Sequence, residues 1–193
     1  MARAMKDSGI EWIGEIPEKW EVVKNKNIFR NKSIRNHPNE EVLSLYRDYG
    51  VIPKSSRNDN HNVTSEDTTT YKLVEKEDLV INKMKAWQGS MGISAYRGII
   101  SPAYYICGII SDEVYSKFIH YAVRNNAYLS EYRRLSTGMR IGQWDLNIND
   151  FLNIKTAIPS LKEQQRIAAV LDDKTTYIDN IITQTKDSIE AFK

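Results

Sequence analysis

Cysteine is almost missing from this chain. Cys107 stands alone, so no disulfide framework can form, and it falls in an apolar run where a buried thiol is expected. Long hydrophobic runs are missing too: none approaches the ~20 residues that span a bilayer. The opening Met1-Ala2-Arg3-Ala4-Met5-Lys6-Asp7 has neither the apolar stretch nor the cleavage pattern of a secretory leader. Together these absences point to a reducing cytoplasm and to no membrane association. Histidine is scarce, and His37, His61 and His120 have no cysteine or carboxylate at ligand spacing, which argues against a zinc or iron site. No G-x-x-x-x-G-K-[ST], G-x-G-x-x-G or G-x-S-x-G word occurs, so neither a phosphate-cradling glycine loop nor a nucleophile elbow is available. The adjacent acids Glu40-Glu41, Glu66-Asp67 and Asp172-Asp173 sit in polar context and read as surface carboxylates. Nothing in the chain commits to catalysis.

What is present is charge with a distribution. The net charge is only +2, but residues 81–100 hold Lys83, Lys85 and Arg97 with no acid. Residues 117–144 hold Lys117, Arg124, Arg133, Arg134 and Arg140 against Glu131 alone. The last 33 residues are nearly balanced, so the basic excess belongs to the body of the chain. Lysine and arginine gathered on one face attract polyanions, nucleic acid first among them.

The body reads as a mixed α+β fold. Strands are expected at Glu21–Lys24, at Val42–Tyr46 and around Leu79-Val80-Ile81, with two or three more between Met91 and Ile110, where β-formers alternate with Gly92 and Gly98. A helix is expected from Ser111-Asp112-Glu113, with acids in its first turn, to Ser136-Thr137-Gly138, with Asn125-Asn126 as a candidate break. Residues 139–158 read as a loop and a short strand. After Pro159, Ser160 and Glu163 form an S-x-x-E capping box that opens a helix with no glycine or proline before Lys193. Along it Ala168, Leu171, Thr175, Ile178, Ile182, Thr185, Ile189 and Phe192 recur in alternating steps of four and three, a heptad seam that needs a partner helix. The expected organisation is a globular domain over residues 8–158 and a helical arm over 159–193.

Three loops combine cations with amides or aromatics. They are Lys54-Ser55-Ser56-Arg57-Asn58, then Lys83-Met84-Lys85-Ala86-Trp87-Gln88-Gly89, then Gly138-Met139-Arg140-Ile141-Gly142-Gln143-Trp144, which follows Arg133-Arg134. Reading DNA requires Arg, Lys, Asn or Gln at base edges and separate cations on phosphates. The candidate DNA-binding residues are therefore Lys54, Arg57, Asn58, Lys83, Lys85, Trp87, Gln88, Arg97, Arg133, Arg134, Arg140, Gln143 and Trp144. The bland alternative makes the tryptophans half-buried core residues and the arginines a solvated helix end.

Taken together, these segments resemble the specificity subunit of type I restriction-modification systems, as one target-recognition domain with its adjoining helix. The words that carry the resemblance are Gly9-Ile10-Glu11-Trp12-Ile13-Gly14-Glu15-Ile16-Pro17, Asp78-Leu79-Val80-Ile81-Asn82-Lys83-Met84, Gly98-Ile99-Ile100-Ser101-Pro102-Ala103-Tyr104 and Ile158-Pro159-Ser160-Leu161-Lys162-Glu163-Gln164-Gln165-Arg166-Ile167. The resemblance implies a non-catalytic subunit without a cofactor of its own. Its partners would be double-stranded DNA and methyltransferase (modification) subunits carrying S-adenosylmethionine, with room for a restriction subunit. It also implies a subunit with two recognition domains, whereas one domain and one helix are present. That leaves half of a longer subunit, cut or naturally short, or a chain that pairs with itself. Pairing would make Ala168, Leu171, Ile178, Ile182, Ile189 and Phe192 a homodimer seam. A protein-binding adaptor that assembles a complex through this helix without touching DNA is the runner-up.

Overall fold

The computed structural model describes residues 3–57, 64–138 and 144–192. In chain order the strands and helices are β1 (Met5–Asp7), β2 (Glu15–Pro17), β3 (Glu21–Lys24), β4 (Phe29–Lys32), β5 (Leu43–Tyr46), β6 (Gly50–Pro53), β7 (Lys72–Val74), β8 (Leu79–Asn82), β9 (Met91–Ile93), β10 (Gly98–Ile100), β11 (Tyr104–Ile109), α1 (Ser116–Val123), α2 (Asn126–Leu135), β12 (Ser136–Thr137), β13 (Asp145–Leu146), α3 (Ile148–Asn153), β14 (Lys155–Ile158) and α4 (Leu161–Ala191). The architecture is α+β with a long C-terminal helix, as the sequence pattern indicates.

An antiparallel sheet of order β4-β11-β8-β9 forms the centre. Because side chains alternate along a strand, Leu79 and Ile81 of β8 enter one core with Met91, Ile119, Tyr132 and Phe151, while Val80 enters a second with Leu43, Val51, Val74 and Ile106. β8 is thus buried on both faces and reads as a continuous apolar run. Each fully buried Leu or Ile contributes about 1.5–3 kcal/mol over exposure. The hairpin β5–β6 and the pair β7–β10 cover the second face, joined by a parallel bridge between Val42 and Ile99. An early and a late segment of the globule meet where β3 pairs with β14. Beneath that pair Asn25, fully buried, donates to the Phe151 carbonyl at 3.1 Å and accepts from the Thr156 hydroxyl at 2.7 Å.

Four local readings need correction. The helix expected from Ser111 begins only at Ser116, while its candidate break at Asn125-Asn126 is found, the Asn125 side chain accepting from the Ala127 amide as the N-cap of α2. The stretch read as loop before β14 contains α3, capped by Asn147, which accepts from the Asn149 amide. The capping box at Ser160 does not close: Ser160 makes no side-chain cap bond. The Glu163 carboxylate instead meets the Arg3 guanidinium, an opposite charge that outcompetes a neutral backbone amide. Ala168, placed by spacing on the partner-facing seam, is fully buried in the chain's own core.

The base of α4 is fastened to the globule. Gln164, also fully buried, accepts from the Tyr115 amide at 2.8 Å and donates to the carbonyls of Glu113 (2.7 Å) and Pro159 (2.9 Å). Two turns on, Asp172 accepts from Lys117 at 2.7 Å and from the Tyr121 hydroxyl at 2.6 Å. From residue 173 to the helix end every described residue is exposed.

A candidate nucleic-acid interface

Strand β8 ends at Asn82, and the chain turns at once into a 3-10 turn at Ala86–Gln88. Asn82 shapes that exit, its side-chain oxygen accepting from the Met84 amide at 3.2 Å. Gly89 ends it with φ 80°, and a Cβ there would lie 2.9 Å from Leu129 of α2. The turn is therefore fixed to a helix on one side and to a buried strand on the other.

Of the three loops singled out by composition, the one at 83–89 meets the described end of the one that closes at Trp144 here. The Leu146 amide donates to the Lys83 carbonyl at 3.0 Å, and the Lys83 amine pairs with Asp145 at 3.2 Å. Trp87 and Trp144 pack edge to face, centroids 5.2 Å apart, and both are half-buried. Lys85 is exposed with no ion-pair partner among the described residues. Gln88 is half-buried beside Trp87. On the other side of the same loop, Lys85 and Asn82 share a cavity of about 290 Å³ with Lys54, Ser101 and Tyr104; none of its described lining residues is a carboxylate. Lys54 bonds the Thr64 hydroxyl there. Arg57 lies near this edge but stacks over the Tyr49 ring at 4.2 Å, next to Tyr46. Lys54, Lys83, Lys85, Trp87, Gln88 and Trp144 thus share one region although up to 90 positions separate them in sequence.

Other candidates stand apart. Arg97 is held by Glu40 and Glu75 and does not present a free charge, because both carboxylates lie within ion-pair range. Arg134 pairs with Glu131 one turn back on α2 at 2.7 Å, and Arg133 is exposed beside it. Asn58, Arg140 and Gln143 lie outside the described residues.

Sequence reading missed Lys72. It lies on β7 at 8% exposure, donates to the Tyr104 carbonyl at 2.6 Å and sits 5.7 Å from the centre of the Tyr105 ring. Burial lowers its pKa, and the positive charges of Arg35 and Lys83 lower it further. A lysine inside a strand of core residues carries no sequence signal beyond its interruption of the apolar pattern.

Two further titratable groups, His120 and Cys107, are structural. His120 accepts from the Ile93 amide at 3.1 Å, and burial holds its pKa at about 4, so it stays neutral. Burial pushes the Cys107 thiol up to about 12, which leaves it inert. Among the described residues no cluster of His, Cys, Asp or Glu could hold a metal ion, and no helix is long and apolar enough to cross a membrane.

Comparison with known proteins bears on the family and on the fold. Residues 17–191 match the family model of the type I restriction modification DNA specificity domain. The fold is similar to the crystal structure of the HsdS subunit from Thermoanaerobacter tengcongensis, at 16% identity and TM-score 0.56, over 91% of this chain and 41% of that one. It is similar to the type I restriction-modification S subunit from M. genitalium at 14% identity and TM-score 0.54, over 85% and 41%. A chain from a structural study of complex assembly and conformational transition in the type I R-M system matches at 15% identity and TM-score 0.56, over 92% and 42%. The chain spans about two fifths of the length of these structures.

Proposed function

The chain belongs to the type I restriction modification DNA specificity domain family, and from that premise we propose that it reads one half of a bipartite duplex target and holds its reader on a helical arm. The observation that carries the reading is convergence. Two segments distant in sequence close into one edge, with the Trp87–Trp144 pair on one side and a cavity lined by Lys54, Lys85 and Asn82 on the other. Cations there set register on phosphates, and amides such as Gln88 read base edges. The chain performs no chemistry of its own in this reading. Methylation belongs to modification subunits, which bring S-adenosylmethionine and dock on the arm, and a restriction subunit can join that assembly.

The arm supports the reading by its bareness. Ile178, Ile182 and Ile189 are 52%, 44% and 55% exposed, at heptad spacing. A second long helix covers them: that of another copy of this chain, or of the remainder of a longer subunit. The arm free of the globule, residues 173–191, extends about 28 Å at 1.5 Å per residue, the rise of roughly eight base pairs of DNA.

Selection of bound duplexes from a random pool, with modification subunits present, tests the function. A recurrent short half-sequence is the expected outcome. Lys85→Ala should lower affinity for all duplexes alike and reduce the salt slope by about 1, whereas Gln88→Ala should cost about 1–3 kcal/mol on the selected sequence only. Absence of any salt-dependent duplex binding would refute the reading.

A further inference from the structure

An apolar groove opens beside the base of α4. Ile13 and Ile16 of the first hairpin, Trp20, Phe118 of α1, and Ile167 and Leu171 of α4 face a cavity of about 470 Å³. None of its described lining residues is charged. Two of its polar groups are already engaged: the Asn125 side chain accepts from the Ala127 amide at 2.9 Å, and the Tyr121 hydroxyl donates to Asp172 at 2.6 Å. The groove suits an apolar occupant.

The groove and the bare stripe of the arm lie on one side of the helix. At 3.6 residues per turn, Ile167, Leu171, Ile178, Ile182 and Ile189 fall within a sector of about 60°. Ile167 and Leu171 are half-buried, and the three isoleucines beyond them are exposed. A helix packed on the stripe and running towards the globule therefore meets the groove next. Ala168 is covered by the chain's own core, so the groove is the last place on that face that can receive a side chain.

The heptad determines which residue arrives. Ala168, Thr175, Ile182 and Ile189 occupy a positions, and Leu171, Ile178, Thr185 and Phe192 occupy d positions. In an antiparallel pair, a faces d of the second copy. With the two-fold axis at residue 180, Ile178 faces Ile182 of the second copy, Thr175 faces Thr185, and Leu171 faces Ile189. Threonine then meets threonine, and large apolar residues meet each other. A shift by one heptad sets Ile182 against Thr185, or Thr175 against Ile178, and loses this match. Phe192 of the second copy falls one layer further on, at the turn of Ala168, where the groove lies. In the single chain Phe192 is almost wholly exposed. A parallel pair would rise away from the globule and leave both grooves unfilled.

We infer that the groove is the socket for Ile189 and Phe192 of a second copy of this chain, so that each arm ends against the other's globule. The inference rests on the pairing of arms proposed above and adds to it a direction, a register and a contact on the globule. Ile181 then meets its own copy at the axis. Asp179 does so on the opposite rim, a like-charge pair that water and salt screen.

The test is sedimentation equilibrium of the full chain, with disulfide trapping of the register. Phe192→Ala removes two buried rings per dimer and is expected to weaken association on the order of a hundredfold. Its monomer should melt as the wild type does, because the ring is exposed there. When Leu171→Cys and Ile189→Cys chains are mixed under oxidising conditions, the disulfide between the two variants should predominate; Cys107 is buried and takes no part. Disulfides mainly between like variants, or a Phe192→Ala chain that associates like the wild type, overturn the socket and leave the reading of a half-target standing. A wild type that stays monomeric overturns it too, and amide protection of the groove on adding modification subunits would then assign the groove to them. Failure to select any duplex overturns the reading function alone, so the two can fail separately.

Discussion

His120 shows at the residue scale how a group that resembles a functional one becomes structural. Its ring bridges α1 to β9 by accepting from the Ile93 amide, so the fold requires the neutral form. Burial first, then the charge of Arg124, lowers its pKa to about 4, against the opposing pull of Asp172. The unfolded chain binds a proton near pH 6.5, the folded chain only near 4. Protonation therefore favours unfolding: the stability tied to His120 is complete above pH 6.5 and is lost as the pH falls from there towards 4. Stability, followed by thermal melting, should decline through that window by on the order of 3 kcal/mol, and His120→Gln, which can still accept from the amide, should flatten the decline. The carboxylates of Asp172 and Glu163, whose pKa values are lowered by their hydrogen bonds to Lys117 and Arg3, lose their contribution only at still lower pH. An unchanged slope in His120→Gln would remove the bridge from this account.

At the scale of elements, the junction of α4 with the globule is decided by one side chain that periodicity cannot find. Heptad reading marks apolar positions, and Gln164 is polar, yet it is wholly buried and saturated by Tyr115, Glu113 and Pro159. Truncating it leaves an amide and two carbonyls without their partner, so Gln164→Ala should lower stability by about 2–4 kcal/mol in denaturant unfolding, whereas the exposed neighbour Gln165→Ala should stay within about 0.5 kcal/mol. Equal effects at both positions would contradict the junction. The same contrast shows what the sequence made legible. Strands β3, β5, β8 and β11 follow from runs of β-formers, and α4 follows from its period. The hairpin β1–β2 and strand β4 were invisible because they are short or polar: β1 and β2 are three residues each, and β4 reads Phe29-Arg30-Asn31-Lys32. Helix α3 was hidden because six residues hold fewer than two turns, though Asn147 as N-cap was a usable cue. At the candidate interface the loops were legible from composition. Their closure through Lys83, Asp145 and the Trp87–Trp144 pair is tertiary and was not. Lys72 looked like a surface residue because lysine mostly is one.

At the scale of the whole molecule, the unresolved balance is between a covered base and a bare shaft. The first three turns of α4 are satisfied internally through Gln164, Ala168 and Asp172, so the apolar stripe left uncovered among the described residues is shorter than the heptad count implies. It comprises Ile178, Ile182 and Ile189, widened by Tyr177 and Ile181, and Phe192 beyond it is 92% exposed. Isolated apolar residues on a surface are ordinary, but a stripe of them along one helix is an association site. A free helix of this length gains little from propensity alone, and packing supplies the rest. Pairing the arms should therefore order the shaft and join two readers at once. Ile178→Asp combined with Ile182→Asp puts charges in the centre of that seam. Sedimentation of the double variant should show monomers at concentrations where the wild type associates, and far-UV circular dichroism should show loss of helix from the shaft. The globule should be spared, because its core and the Gln164 junction lie outside the altered turns, so the cooperative melt of the β-rich body should shift by no more than a few degrees. Duplex affinity should then drop to that of a single reader without a change in the half-sequence it prefers, since linked binding raises avidity and leaves each site's contacts alone. A double variant that still associates like the wild type would move the partner-binding surface off the arm.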